Sequence, residues 1–126
     1  KTRINMGYIY RRQKEEVLFW LKGPRKKARK VPFSRSVPDV LKAKPIRKGY
    51  PTEKPVEGLL DVFVRQSTNP GDVVLDCFSG SGATGHAALS QGRHFRGCDI
   101  TDRGYRTTLT RCFQHGMPTN PLDYAD

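Results

Sequence analysis

Apolar positions along this chain fall in short runs whose period changes from one segment to the next, each bounded by turn residues. Met6 to Tyr10 and Val17 to Leu21 are compact apolar and aromatic stretches separated by Arg11-Arg12-Gln13-Lys14-Glu15-Glu16, the pattern of two strands joined by a polar loop. From Lys22 to Gly49 four prolines and a run of basic residues interrupt any period, which predicts a loop or arm. Pro55 suits a first helical turn, and Val56, Leu59, Leu60 and Phe63 follow on one helical face. Asn69-Pro70-Gly71-Asp72 is turn chemistry that feeds Val73-Val74-Leu75, a continuous apolar run of the kind buried in a parallel sheet. The small-residue loop Ser79-Gly80-Ser81-Gly82 then opens a helix from Ala83 to Gln91, which Gly92 can end in a left-handed conformation. His94 to Cys98 reads as a second strand. Asp102 to Phe113 reads as a further helix with Tyr105, Leu109 and Phe113 on one face. The order α-β-α-β-α, without an internal repeat, predicts an α/β fold with a doubly wound, mainly parallel sheet and helices on both faces.

Charge divides the chain in a way that hydrophobicity does not. Residues 1–49 carry 16 lysines and arginines against 3 acids, a balance of +13, whereas residues 50–126 carry 7 against 9, a balance of −2. A basic arm over 1–49, with a strand pair and aromatics interleaved among its charges, is therefore expected to precede a near-neutral α/β domain over 50–126. Such an arm attracts a polyanion, and nucleic acid fits the aromatics best. Arg25, Lys26, Lys27, Arg29 and Lys30 are the candidate DNA-binding residues. The 126 residues suffice for one core-bearing domain. No apolar run approaches the roughly 18 residues needed to cross a bilayer, so no membrane is expected and a cytoplasmic protein is. Three cysteines with no C-x-x-C pair fit neither a disulfide framework nor a zinc site, and the three histidines share no ligand spacing; Cys77 and Cys98 are expected to pack as small hydrophobes. No metal is predicted.

Gly80-Ser81-Gly82-Ala83-Thr84-Gly85 satisfies G-x-G-x-x-G, and Asp99 ends the following strand. Glycines there permit a tight strand-to-helix turn and close approach of a ligand to backbone N–H groups, while a carboxylate at the second strand's tip can accept hydrogen bonds from ribose hydroxyls. By itself this pattern admits many nucleotides. Asp76, directly ahead of the loop, narrows the choice, because a carboxylate there repels a pyrophosphate and suits a ligand carrying an ammonium group. S-adenosylmethionine has an ammonium, a sulfonium and an adenosine, with no phosphate.

At these residues the sequence resembles the β class of S-adenosylmethionine-dependent DNA amino-methyltransferases, which modify adenine N6 or cytosine N4. Tyr50-Pro51-Thr52-Glu53-Lys54-Pro55 is similar to that family's H-P-T-x-K-P element, with Tyr50 in place of His. Asn69 to Gly82 resembles its N-P-G-D-x-V-L-D-P-F-x-G-S-G block, with Cys77 in place of Pro, and Gly92 to Asp99 resembles G-R-x-F-x-G-x-E, with Asp99 in place of Glu. More loosely, Glu15 to Gly23 is similar to a strand that precedes the target-recognition region. The resemblance implies a Rossmann-like methyltransferase fold, incomplete in this chain, with part of the target-recognition region in 1–49. It further implies that Asp76, Phe78, Ser79, Gly80, Ser81 and Gly82 line S-adenosylmethionine, that Thr52 and Lys54 approach its methionine carboxylate, and that Asp99 holds the ribose. DNA is the implied partner, with RNA left open as a substrate, and restriction-modification on a nucleoid, phage or mobile element is the implied setting.

The family's catalytic element, D/N/S-P-P-Y/F/W, is not in the sequence, since none of the nine prolines are adjacent. Asn120-Pro121-Leu122-Asp123-Tyr124 imitates it only superficially. With a first residue of Lys1, the chain reads as a segment of something longer, and no catalytic residue is assigned within it. An upstream segment or a second polypeptide is expected to carry the element. The alternative is a non-catalytic subunit or regulator that binds the cofactor and nucleic acid; a dinucleotide-dependent oxidoreductase fits the glycines but neither Asp76 nor the Thr52 to Pro55 block.

Overall fold

A computed structural model describes residues 14–23 and 34–116. The regular elements are α1 (Asp61–Ser67), β1 (Val73–Asp76), α2 (Ala83–Leu89), β2 (His94–Gly97) and α3 (Asp102–Phe113). β1 and β2 pair in parallel, Val73 opposite His94 through Asp76 opposite Gly97, with α2 as the crossover between them. Among the described residues this is an incomplete Rossmann-like α/β unit.

The core lies on one face of the sheet. Phe95, paired in register with Val74, packs with Ala88 of α2 and Cys112 of α3, and Val74 and Leu89 close the cluster. Alternation along the strands sends Val73 and Leu75 to the opposite face, where they are 54% and 66% exposed. The run Val73-Val74-Leu75 is thus covered on one face rather than on two. Gly85 lets α2 sit close: a Cβ there would lie 2.7 Å from both the Cys112 sulfur and the Phe95 ring.

Two stretches depart from the sequence expectation. The helix expected from Pro55 begins at Asp61, because Glu57 is extended (ψ 130°) and Gly58 takes φ +74°, making Val56–Leu60 a wide turn closed by the Leu60 amide on the Pro55 carbonyl at 3.3 Å. Val17 to Leu21 is irregular rather than a strand. Among the described residues the sheet consists of β1 and β2, and the expected partner of Val17 to Leu21, Met6 to Tyr10, lies outside them. Trp20 and Leu18 there are 84% and 79% exposed.

The residues around β2 hold the lower edge of the domain. Gly92, at φ +74°, ends α2 with its amide on the Leu89 carbonyl (3.0 Å) and the Arg93 amide on that of Ala88 (3.0 Å), the paired bonds of a Schellman cap. Buried Arg93 donates from its guanidinium to the Thr68 and Gln91 carbonyls, both at 2.7 Å, and to Thr68 Oγ1 at 3.1 Å. Gly92 and Arg93, the first two residues of the Gly92 to Asp99 block, are therefore architectural. Among the described residues no helix is long and apolar enough to cross a membrane.

On the outer side, α2 meets the end of α3 through His86 Nδ1 and His115 Nε2, 2.9 Å apart. Burial first, then the charges of His115 and Arg111, lower the pKa of His86. The folded chain thus resists a proton that the unfolded chain takes up at about pH 6.5, so stability is full above that pH and declines as pH falls through it toward the folded value. The urea midpoint is expected to drop between pH 7.5 and 5.5, and to drop less in His86→Gln; equal losses would contradict this assignment.

Candidate cofactor site

Asp76, Phe78, Ser79, Gly80, Ser81, Gly82 and Asp99 lie at and beyond the carboxyl ends of β1 and β2. Beyond Asp76 the chain turns sharply, with the Phe78 amide donating to Asp76 Oδ1 at 2.9 Å. Ser79 returns to β2, its amide and hydroxyl both donating to the Cys98 carbonyl at 3.0 and 3.1 Å. Gly80 and Gly82 take φ +47° and +71°, the left-handed region that glycine enters without strain. At Gly82 space matters as well, since a Cβ would lie 2.8 Å from the Thr108 backbone of α3.

Asp99 is the hub. Its Oδ2 accepts from the Gly80 amide at 2.8 Å, and its Oδ1 accepts from the Thr101 amide at 2.9 Å and hydroxyl at 2.7 Å. The Thr101 hydroxyl bond first, then the two amides, holds the Asp99 carboxyl below the ordinary carboxylate range, so its charge persists to lower pH. Thr101 in turn caps α3 by accepting from the Gly104 amide at 3.0 Å. Gly104 is where it is because a Cβ there would collide with the Asp99 carboxylate. One acid thus ties the glycine loop to the second strand and to the next helix. Each carboxylate oxygen has two lone pairs, so Oδ2 keeps capacity for a ligand hydroxyl.

The block around Thr52 docks against the loop from the other side. The Tyr50 ring lies beside Gly80, at 3.4 Å from where a Cβ would stand, with the Arg103 guanidinium 5.2 Å from the ring centre. Arg111 of α3 bridges the two segments, donating to the Ser81 carbonyl at 3.1 Å and to Glu53 Oε1 at 2.7 Å in a largely buried ion pair. Thr52 itself has φ +59°, uncommon for a β-branched residue and a cost of order 1–3 kcal/mol. Lys54 pairs with Glu15, Nζ to Oε2 at 2.6 Å. A cleft of about 510 Å³ between this block and α3 is lined by Tyr50, Glu53, Ser81, Thr107, Thr110 and Arg111; it does not reach Asp76 or Asp99.

Structure and sequence differ in several particulars. Asp76, Phe78, Ser79, Gly80 and Asp99 form one connected set, and Ser81 and Gly82 join it through α3. Thr52 and Lys54 stand in the docked block with their polar atoms on the Pro51 carbonyl and Glu15. Cys77 and Cys98, expected to pack as small hydrophobes, are exposed, because both follow the last residues of their strands; Cys112 is the buried thiol. Phe78 and Ile100, 88% and 99% exposed, flank the two acids with apolar surface. Sequence reading missed Ile100, Thr101, Gly104 and Arg111, of which only Thr101 carried a local signal, as an N-cap residue ahead of Asp102. Arg25, Lys26, Lys27, Arg29 and Lys30 lie outside the described residues, as does Asn120 to Tyr124.

The family model for DNA methylases of the N6/N4 type matches residues 4–109, most of the chain. The chain belongs to this DNA methylase family. Among curated relatives, the DNA adenine methyltransferase YhdJ of Escherichia coli (strain K12) is 44% identical over 64 residues, 51% of this chain and 21% of the relative. Type II methyltransferase M1.MboII of Moraxella bovis is 46% identical over 57 residues, 45% of this chain and 22% of the relative. A crystal structure of an M1.HpyAVI–SAM complex aligns with a TM-score of 0.47 at 37% identity, covering 49% of this chain and 30% of that one. The chain spans about a fifth of the length of each of these two relatives.

Proposed function

We propose that this chain is the S-adenosylmethionine-binding portion of a DNA amino-methyltransferase acting on adenine N6 or cytosine N4. The observation that carries the reading is the pair of carboxylates at the strand tips, Asp76 on the turn into the glycine loop and Asp99 held by Gly80 and Thr101. Two acids beside the loop oppose a pyrophosphate and favour an ammonium and ribose hydroxyls. Exposed Phe78 and Ile100 offer apolar faces to a base between them. Those features fit S-adenosylmethionine, which when bound supplies a methyl group on a sulfonium centre. The chain's own part is to hold and orient: Asp99 at the ribose, Asp76 at the ammonium, and Ser79, Gly80, Ser81 and Gly82 as the close-packed loop. Thr52 and Lys54 are placed at the methionine carboxylate, for which Lys54 must exchange Glu15.

Calorimetry with S-adenosylhomocysteine and with NAD tests this directly. The first is expected to bind and the second not. Asp99→Ala should weaken the binding by about 1–3 kcal/mol, the loss of a charge-assisted hydrogen bond. Binding of NAD alone would assign the loop to a dinucleotide, and unchanged affinity in Asp99→Ala would remove Asp99 from the site.

For the basic arm, we infer contact with DNA phosphates, supported by the +13 balance of residues 1–49. Affinity should then fall with salt at a log–log slope of about −0.9 per phosphate contact. Replacing Arg25, Lys26, Lys27, Arg29 and Lys30 together should flatten the slope in a filter-binding series; an unchanged slope would leave the arm no role on the backbone.

A further inference from the structure

Two of the three cysteines directly follow neighbouring strands, 21 positions apart in sequence. In the ladder, His94 is the partner of Val73 and its amide donates to Asp72, one residue before that partner, at 2.9 Å. The Cys98 amide donates to Asp76 at 3.0 Å in the same relation, so Cys98 and Cys77 are the next pair in register. Neighbouring strands lie about 4.8 Å apart, within the roughly 4.4–6.8 Å that a disulfide requires between Cα atoms. The Cys98 thiol donates to the Cys77 carbonyl at 3.6 Å. Both residues are exposed, whereas Cys112 is 3% exposed in the core. Cys77 stands where the resembled block has proline, so this pair is a property of the present chain.

We propose that Cys77 and Cys98 form a dithiol site which a small-molecule disulfide oxidises to a cross-strand bond between Asp76 and Asp99. A thiolate of the pair attacks one sulfur of the reagent and expels a small thiolate, leaving a mixed disulfide. The second cysteine then attacks the protein sulfur of that mixed disulfide, the S–S bond forms, and the second small thiolate leaves. The two protons of the cysteines end on the two released thiols, so one disulfide is reduced as one is made. Partial desolvation, then the Cys77 thiol and the carboxylates of Asp76 and Asp99, push the Cys98 thiol's pKa up, which suits Cys98 to the second step and makes the overall exchange faster as pH rises.

Formation of the bond stands on this geometry alone; its effect on ligand binding rests on the cofactor reading. A disulfide fixed between the two acids fills surface that the ligand would cover and holds the strand tips at one separation. Affinity for S-adenosylhomocysteine should fall roughly tenfold on oxidation, as loss of one charge-assisted contact would produce, and return with dithiothreitol.

The experiment treats the folded chain with oxidised glutathione and reads it by intact mass, thiol count and peptide mapping. The expected product has lost two hydrogens, runs as a monomer without reductant, joins Cys77 to Cys98 and keeps Cys112 free. Cys112→Ser should give the same bond, while Cys77→Ser and Cys98→Ser should each stop at a glutathione adduct. Stable glutathione on both Cys77 and Cys98, or a bond involving Cys112, would overturn the site. Equal affinity of the reduced and oxidised chains would overturn its effect on the ligand. If the reduced chain fails to bind at all, the cofactor reading falls and that effect with it, and the mass result alone decides the dithiol.

Discussion

Gly85→Ala is expected to destabilise the domain although it adds only one methyl. Alanine is the better helix former by about 0.8–1.0 kcal/mol, so an exposed glycine at this position would gain from the change. Here the new Cβ meets the Cys112 sulfur and the Phe95 ring at 2.7 Å, and both are buried, at 3% and 6% exposure. Neither neighbour can give way without moving α3 or the sheet. Overpacking of this kind costs about 1–3 kcal/mol, and it falls on the small buried cluster of Ala88, Phe95 and Cys112. The cost exceeds the helical gain. A lower urea midpoint with an unchanged slope would agree; a midpoint equal to or above that of the parent would mean that α2 does not rest on Phe95.

Residues 1–126 alone are expected to show no methyl transfer to duplex DNA. The exocyclic nitrogen of adenine or cytosine has its lone pair delocalised into the ring, so the acceptor must be held by hydrogen bonds and its base stacked outside the duplex. The proposed cofactor site at the strand tips consists of acids, glycines and apolar surface, and the sequence has no adjacent prolines from which a D/N/S-P-P-Y element could be made. Orientation of two reactants accounts for about 7–11 kcal/mol in well-placed systems, so its loss leaves no turnover in an ordinary radiolabel assay. Supplying that element, on the same polypeptide or a second one, should restore transfer. Transfer by the chain alone would place the acceptor-holding groups among these residues, with Asn120 to Tyr124 the first segment to test.

Legibility in the sequence followed the range of the interactions. α3 spans Asp102 to Phe113 as its apolar face predicts, and the ends of β1, α2 and β2 fall within two residues of expectation, because turn glycines and local periodicity set them. The start of α1 was misplaced because Val56, Leu59 and Leu60 are half-buried whether the chain coils or turns. Gly58 at φ +74° marks the turn, and a lone glycine did not outweigh the period. Val17 to Leu21 carries the apolar run of a strand and is irregular in the structure, so an apolar run does not by itself fix a strand. In the site, the linear blocks pointed to Asp76, the glycines and Asp99, which lie on one strand–loop–helix path. What no block carried were the long-range partners: Arg111 reaching Glu53 58 positions away, Thr108 under Gly80, and Cys98 beside Cys77. Those follow from register and helix docking, which a sequence pattern does not encode. Glycine is unfavourable inside a helix, and the reason for Gly104, the carboxylate of Asp99 against it, appears only in three dimensions.

The central claim is that a cofactor sits at the tips of β1 and β2 on the Gly80 to Gly82 loop. Amide resonances read that surface residue by residue. In a titration with S-adenosylhomocysteine, the amides of Phe78, Gly80, Ser81, Gly82 and Thr101 are expected to move together and saturate at one affinity, while those of Gly92 and Arg93 at the opposite edge stay still. Shifts confined to the cleft residues Thr107, Thr110 and Arg111, or no shift at the loop at saturating ligand, would contradict the account.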